Sequence, residues 1–174
     1  MSFELQPTLR GSLVHLRPLR EEDWPTLYDV ASDPLVWEQH PSSDRYKEEV
    51  FRVFFQEAME SGGALLAHDL KDGKVIGTSR FYGLNPETSE IEIGWTFLAR
   101  SHWGGKFNGE MKRLMLQHAF QYVNSVLFFI GPNNMRSRKA VEKIGGIFLG
   151  NRTNGAGRES VVYRISKDRY LENI

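Results

Sequence analysis

The apolar and polar positions of the chain change period several times, and each change predicts an element. Residues 12–17, SLVHLR, alternate and predict a strand that Pro18 stops. Glu21, Glu22 and Asp23 open a helix predicted to reach Ala31, since acidic side chains suit the positive end of a helix dipole, and Asp33-Pro34 breaks it. A second helical pattern runs from Ser43 or Asp44 to Glu60, with Val50, Phe51, Phe54, Phe55 and Met59 on one face and Gly62-Gly63 as its stop. ALLAHDL and KVIGTSRFYGL flank a Lys71-Asp72-Gly73-Lys74 turn and read as a hairpin, and EIEIGWTFL follows Asn85-Pro86 as a third strand. A helix from Asn108 to Val123 carries Met111, Leu114, Met115, Ala119 and Tyr122 at helical spacing. VLFFI is apolar throughout, as a strand covered on both faces should be. A helix from Asn134 to Ile144, capped by Asn133 or Asn134 and ended by Gly145-Gly146, leads to the strands GIFLG and SVVYRI.

The order of elements is strand, two helices, three strands, helix, strand, helix, two strands. It predicts an α/β sandwich with a mixed sheet, in which a meander is followed by crossover helices, and not a doubly wound dinucleotide fold. At 174 residues the chain is expected to form one domain, and 40% hydrophobic residues with 12% aromatics suit a single packed core. Lys plus Arg equals Asp plus Glu at 22 each, so no global field draws nucleic acid or an anionic membrane. The absence of cysteine excludes a thiolate nucleophile, a disulfide and a thiolate metal site, and the five scattered histidines predict no metal. The longest apolar run, Val126 to Ile130, is too short for a bilayer, and MSFELQPTLR lacks the apolar core of a signal peptide, so a cytoplasmic location is expected.

Any anion must therefore be held by a local device, and HWGGKFNGEMKRL, from His102 to Leu114, offers one. Glycines let backbone N–H groups converge at a helix N-terminus, an arrangement suited to a pyrophosphate. The dinucleotide fingerprint is absent because the glycines fall at 104, 105 and 109, and the ATP-type loop fails because Phe107 follows Lys106. A turn whose N–H groups meet only water stays open on these residues alone. In EIEIGWTFL the alternation sets Ile91, Ile93, Trp95 and Phe97 on one face and Glu90, Glu92 and Thr96 on the other. Two carboxylates so placed would raise each other's pKa, unless both sit on a wet sheet face.

EIEIGWTFLARSHWGGKFNGEMKRLMLQHAF, followed after a short strand by NNMRSRKAVEKIGG, resembles the GNAT superfamily of acyl-CoA N-acyltransferases, and most closely its branch of ribosomal-protein N-terminal acetyltransferases. The resemblance spans about residues 9 to 166. That branch has a strand E-I-G-(aromatic), here Glu92-Ile93-Gly94-Trp95, then W-G-K-G-(aromatic)-A/N-T-E, here Trp103 to Glu110 with the lysine and second glycine transposed. The superfamily usually has Gly where Lys106 stands and Gly or Ala where Asn108 stands. Its second motif, N-x-x-S-x-R/K-x-x-E-K-x-G-F, is matched by Asn134, Ser137, Lys139, Glu142, Lys143 and Gly145, with Gly146 in place of Phe.

The resemblance implies a mixed, mostly antiparallel sheet of about seven strands flanked by about four helices in three layers. It implies acetyl-CoA or coenzyme A as co-substrate, its pyrophosphate cradled by Gly104, Gly105, Lys106, Phe107, Asn108 and Gly109 with Arg100 as a substitute for a missing Arg. Thr96, Phe97 and Leu98 would meet the pantetheine arm where two strands splay, and Asn134 and Lys139 would line the cleft. Arg136, Arg138 and Lys143 read equally well as a solvated basic face. Glu92 is the implied general base. The tyrosine that many members use as general acid is replaced by Val141, which leaves Ser137 in that role or as a helix-surface serine bonding its own backbone.

Direct transfer to an amine is then expected, and an N-terminal amine, with a pKa of ~7.7–8.0 against ~10.4 for lysine, needs only a modest base. The acceptor, a small molecule or a protein N-terminus, would meet Trp37, His40, Arg80 and Tyr82, although such a Trp also serves as a packing plug and His40 as a turn residue. The partners expected are that amine, no nucleic acid and no membrane, with the oligomeric state open and a homodimer included. A second class of function fits the same pattern: a non-catalytic acyl-CoA-binding sensor or interaction module.

Overall fold

A computed structural model of the chain describes residues 2–153 and 157–172. Among them one mixed sheet runs in the order β1-β2-β3-β4-β5-β6-β8-β7. Its strands are β1 (Leu9–Arg10), β2 (Val14–Pro18), β3 (Ala64–Asp69), β4 (Val75–Asn85), β5 (Glu90–Leu98), β6 (Ser125–Ile130), β7 (Ile147–Thr153) and β8 (Glu159–Ser166). The helices are α1 (Trp24–Ala31), α2 (Glu48–Ser61), α3 (Lys106–Ala119), α4 (Met135–Lys143) and α5 (Lys167–Glu172). The sheet thus gains one strand over the expected seven, the two-residue β1, and the layers gain one helix, the short α5. None of these helices is long and apolar enough to cross a membrane.

Two apolar clusters, one on each face, hold the three layers together. Phe51, Phe54 and Phe55 of α2, Leu27 of α1 and Trp37 pack with Leu66 and Phe97. Met111, Met115 and Ala119 of α3 and Val141 of α4 pack with Leu16, Ile91, Ile93, Val126 and Tyr163. β6 is covered more fully on one face than the other: Val126, Phe128 and Ile130 are buried, whereas Leu127 and Phe129 are half-exposed, so a fully apolar run is not a strand sealed on both sides.

Every neighbouring pair of strands is antiparallel except β5 and β6, whose parallel pairing links Glu90, Ile91 and Glu92 to Ser125, Val126 and Leu127. Both strands continue beyond that point, and the register between them does not. β5 also carries a bulge: Arg80 pairs with Gly94 but Thr78 with Phe97, so β5 has one residue more than β4 there, and Trp95 takes φ +52°. A left-handed conformation at a bulky residue costs on the order of 1–3 kcal/mol. The extra residue reverses the alternation. Trp95 and Phe97 join the cluster under α2, while Ile91 and Ile93 stay in the cluster under α3, and Thr96 turns away from Glu92 to meet α3.

Glu110 anchors the start of α3. Its carboxylate accepts the N–H groups of Ser12, Leu13 and Val14 at 2.9, 2.7 and 2.7 Å and the Ser12 hydroxyl at 2.8 Å, satisfying the β1–β2 turn. A Cβ on Gly11 would lie 2.4 Å from its Cδ, so the turn leaves room for nothing larger than glycine. Burial alone would raise the pKa of Glu110, but these donors outweigh it and hold the pKa below the ordinary value of 4.5.

Glu110→Ala is expected to lose about 2–4 kcal/mol, because buried backbone donors are left without acceptors. The check is a urea midpoint that falls with the slope unchanged. The wild-type contribution should be complete above pH ~4.5 and fade as pH falls through the lower folded-state pKa, a fade absent from the variant.

Candidate active site

Where β5 and β6 part, a cleft of about 520 Å³ opens, lined by Glu92 to Leu98 of β5, Phe128 to Ile130 of β6, and residues of the loop before α3 and of α4. A strand with a partner on one side only leaves main-chain donors and acceptors pointing into the gap. Thr96, Phe97 and Leu98 are on that wall, although Trp103 Nε1 donates to the Leu98 carbonyl at 2.9 Å.

At one end of the cleft Gly104 and Gly105 take φ +113° and +100°, values that favour glycine, and Gly105 caps α3. The Gly109 N–H already donates to the Gly105 carbonyl at 2.8 Å, so Gly109 belongs to the helix and not to an anion cradle. Lys106, Phe107 and Asn108 begin the helix, and their N–H groups have no intrahelical acceptor. A cation reinforces that end, for Lys143 Nζ lies 3.6 Å from the position of a Cβ on Gly105. The Lys106 side chain is exposed and lies outside the cleft lining, so it does not fill the cradle. Phe107 packs on the His102 ring at 4.6 Å, which leaves its backbone as its contribution. These groups fit a pyrophosphate.

Two expected cofactor residues stand elsewhere. Arg100 bonds the Asp33 carboxylate and borders a separate shallow hollow with Arg17, Asp29 and Lys74. Lys139 is exposed on α4 and outside the lining. In both cases helical or turn phase sets the direction, and motif spacing does not report it. Asn134 does line the cleft, buried, with Oδ1 accepting the Ser137 N–H at 3.4 Å as a helix cap. The Ser137 side chain lies on the same wall.

Glu92 sits at the fork itself. Burial raises its carboxyl pKa from 4.5 to about 7, against the opposing pull of the Arg80 charge. The cause is therefore not a neighbouring Glu90, as the alternation suggested. Oε2 lies 3.1 Å from where a Cβ on Gly94 would be, so Gly94 leaves space beside the carboxylate.

The acceptor candidates divide. Tyr82 lines the cleft and packs edge-on to Trp95, with ring centres 5.3 Å apart. Trp37 touches the cleft but is 2% exposed, donates Nε1 to the Ala31 carbonyl at 2.8 Å and packs on Phe97, so it is chiefly a plug. His40 Nδ1 accepts the Ser42 N–H at 2.9 Å, and burial with three nearby arginines pushes its pKa to about 3. That ring is neutral at pH 7 and cannot be a cationic contact. Arg80 lies behind the wall, its guanidinium 4.4 Å from the Trp95 ring centre.

Lys112 is a residue that apolar spacing does not find. It lies on α3 in line with Asn108 and Leu116, the i, i+4, i+8 row that faces the sheet. Its side chain is 5% exposed, lines the cleft, and donates to Thr96 Oγ1 at 2.6 Å, which in turn shares a 2.8 Å bond with Ser79. Burial lowers its pKa from 10.5 to about 7.

Comparison with known proteins agrees with this fold. The family model of the acetyltransferase (GNAT) domain matches residues 14–147. A crystal structure of a protein assigned as an acetyltransferase from T. thermophilus superposes with a TM-score of 0.76 at 27% identity, covering 95% of this chain and 92% of that one. A GCN5-related N-acetyltransferase from Brucella melitensis gives 0.79 at 19% identity, over 95% of this chain and 81% of that one. Spermidine N-acetyltransferase from Vibrio cholerae, in complex with CoA and spermine, gives 0.67 at 16% identity, over 92% and 99%. No curated protein matches the chain significantly. The chain belongs to the GNAT acetyltransferase family, and its parted strands, glycine loop and Glu92 occupy one cleft.

Because Lys112 titrates near 7 when folded and near 10.5 when unfolded, the unfolded chain binds the extra proton between those values. Wild-type stability should therefore gain a rising component from pH ~7 to ~10.5 that Lys112→Met lacks. The difference between the two urea midpoints across that range reads it, and parallel curves would show that the amine titrates alike in both states.

Proposed function

We propose that the protein is an N-acetyltransferase that moves an acetyl group from acetyl-CoA to a primary amine, a small amine or a protein N-terminus, by direct transfer in a ternary complex. The observation that carries this reading is a carboxyl tuned to about 7, Glu92, at the fork of β5 and β6 in the cleft that also receives the glycine loop. A base poised near the working pH is efficient, because a substantial fraction of it is ionised and that fraction accepts a proton readily.

Acetyl-CoA supplies the activated thioester carbonyl. The N–H groups of Lys106, Phe107 and Asn108, with Lys143 beside them, hold its pyrophosphate, and the unpaired β5 backbone around Thr96 to Leu98 aligns the arm. Glu92 removes a proton from the ammonium form of the acceptor, or from its nitrogen through a water, so that a neutral amine attacks. The Ser137 hydroxyl donates a proton to the departing sulfur and recovers one from the nitrogen of the tetrahedral adduct, so that amide and thiol leave with the serine again a hydroxyl. With no cysteine in the chain, a thiol-borne acyl-enzyme has no residue to form on. Lys106 bears on the alternative of a sensor without chemistry: exposed on the helix surface, it leaves the cradle open.

Titration with acetyl-CoA is expected to show saturable one-site binding that ATP at equal concentration does not reproduce. Glu92→Gln should lower kcat by roughly 10²–10⁴-fold while the acetyl-CoA Kd moves less than about twofold. kcat/KM of the wild type should climb as pH rises through ~7, the value set by Glu92. Equal losses of turnover and acetyl-CoA affinity in Glu92→Gln would contradict the assignment of the base, and Ser137→Ala with unchanged turnover would remove the proposed acid.

A further inference from the structure

The acceptor end of the cleft carries a charge imbalance. Among the described lining residues Arg45, Arg136, Arg158 and Lys112 are basic, and Glu92 is the one acid. Arg45 and Arg80 share one aromatic seat, their guanidinium carbons 4.9 and 5.6 Å from the centre of the Phe54 ring. Arg80 is 4% exposed, and among the described residues its Nε and Nη2 are buried without a hydrogen-bond partner. None of the ion pairs among the described residues includes Arg45, Arg80 or Arg136. A buried cation without a compensating anion is costly, and folded proteins normally pair it.

Two of the basic residues have a structural task. Arg136 donates to the Val36 carbonyl at 3.3 Å and lies over the Trp103 ring, and Arg158 donates to Ser42 Oγ at 2.8 Å. Together they fasten the segment from Val36 to Ser42 across the cleft. Gly131 assists, since a Cβ there would lie 2.3 Å from Pro41 Cγ. Among the described residues Arg45 has no comparable carbonyl partner: its Nη1 lies 3.3 Å from His40 Nε2, on a neutral ring that supplies no counter-charge. Arg45 and Arg80 are thus two guanidinium groups held near one another, Arg80 also within reach of the Glu92 charge; Glu57 acts on both and Asp44 on Arg45 through space, but neither guanidinium is in a direct ion pair among the described residues.

We propose that the acceptor amine carries a carboxylate or phosphate a few bonds from its reacting nitrogen, held by Arg45 with Arg80 reinforcing the field behind Trp95. This inference rests on the acetyltransferase reading of the same cleft. Guanidinium planes suit both anions, because their paired N–H groups match two oxygens at once. The same charges disfavour an acceptor with several ammonium groups, so the cleft selects against polyamines.

The test is calorimetric titration of the protein–CoA complex with matched amines: alanine against alaninamide, phosphoethanolamine against ethanolamine, and spermidine. At least one anionic member should bind about tenfold or more tightly than its neutral mate, and the pair that does so identifies the anion. Arg45→Gln should bring the mates within about twofold and leave the acetyl-CoA Kd unchanged, whereas Arg45→Lys should retain part of the preference. Equal binding within both pairs, tighter binding of spermidine, or a weakened acetyl-CoA Kd in Arg45→Gln would overturn the proposal. CoA release from acetyl-CoA is measured with the same amines. Anion-selective binding without turnover upholds the anion site and defeats the transferase reading.

Discussion

The parting of β5 from β6 is the constraint on which the rest depends. Parallel strands that stayed paired would consume every main-chain group between them and leave a continuous sheet with no interior space. Here the pairing ends at Glu92 and Leu127 although both strands run on, and the unpaired length of β5 becomes a wall. The bulge at Trp95 makes that wall useful. By adding a residue it sends Phe97 to anchor on Trp37 and the aromatic face of α2, and turns Thr96 toward Lys112 on α3. Strand and helices are locked on both faces, so the gap stays open without an element inside it.

An opening of this kind concentrates ionisable groups where water is scarce. Glu92 and Lys112 flank β5 from opposite faces, and burial drives both toward about 7, one upward and one downward. Each move follows from the same cost, the transfer of charge out of water. Arg80 opposes the shift of Glu92, and without that guanidinium the carboxyl would be protonated over more of the neutral range. Glu110 shows the contrasting case: shielded from solvent as well, it collects backbone donors and remains an ionised fastener of the β1–β2 turn. Two carboxylates on neighbouring elements thus serve chemistry and architecture according to whether donors reach them.

The motifs around the glycine loop give the right end of the cleft but not the direction of individual side chains. Gly104, Gly105 and Asn108 converge on it as the spacing suggested, while Arg100 turns to Asp33 and Lys139 to solvent. Spacing records which residues share a turn, and a turn has an outside. Strict alternation along EIEIGWTFL likewise grouped Trp95 and Phe97 with Ile93, because it assumes extended backbone at every position, and one left-handed residue voids that assumption. Lys112 escaped notice because a basic residue between apolar ones reads as solvated until its neighbours are known.

Local rules suffice for the order and kind of nearly every element, the helix stops at Gly62 and Gly145, the glycine loop, and the absence of thiol chemistry. The period of apolar positions, backbone freedom at glycine and the residue types present carry all of these, and each can be read within a few residues of chain. Packing across the sheet is what separates β5 from β6, lets Trp95 reverse the strand, and stands Arg45 and Glu92, drawn from separate stretches of chain, around one opening with Arg80 behind its wall. The reason is physical. Strand divergence and burial depend on what lies across the sheet, and a carboxylate or ammonium acquires its proton affinity from those distant neighbours and not from the residues beside it in the chain.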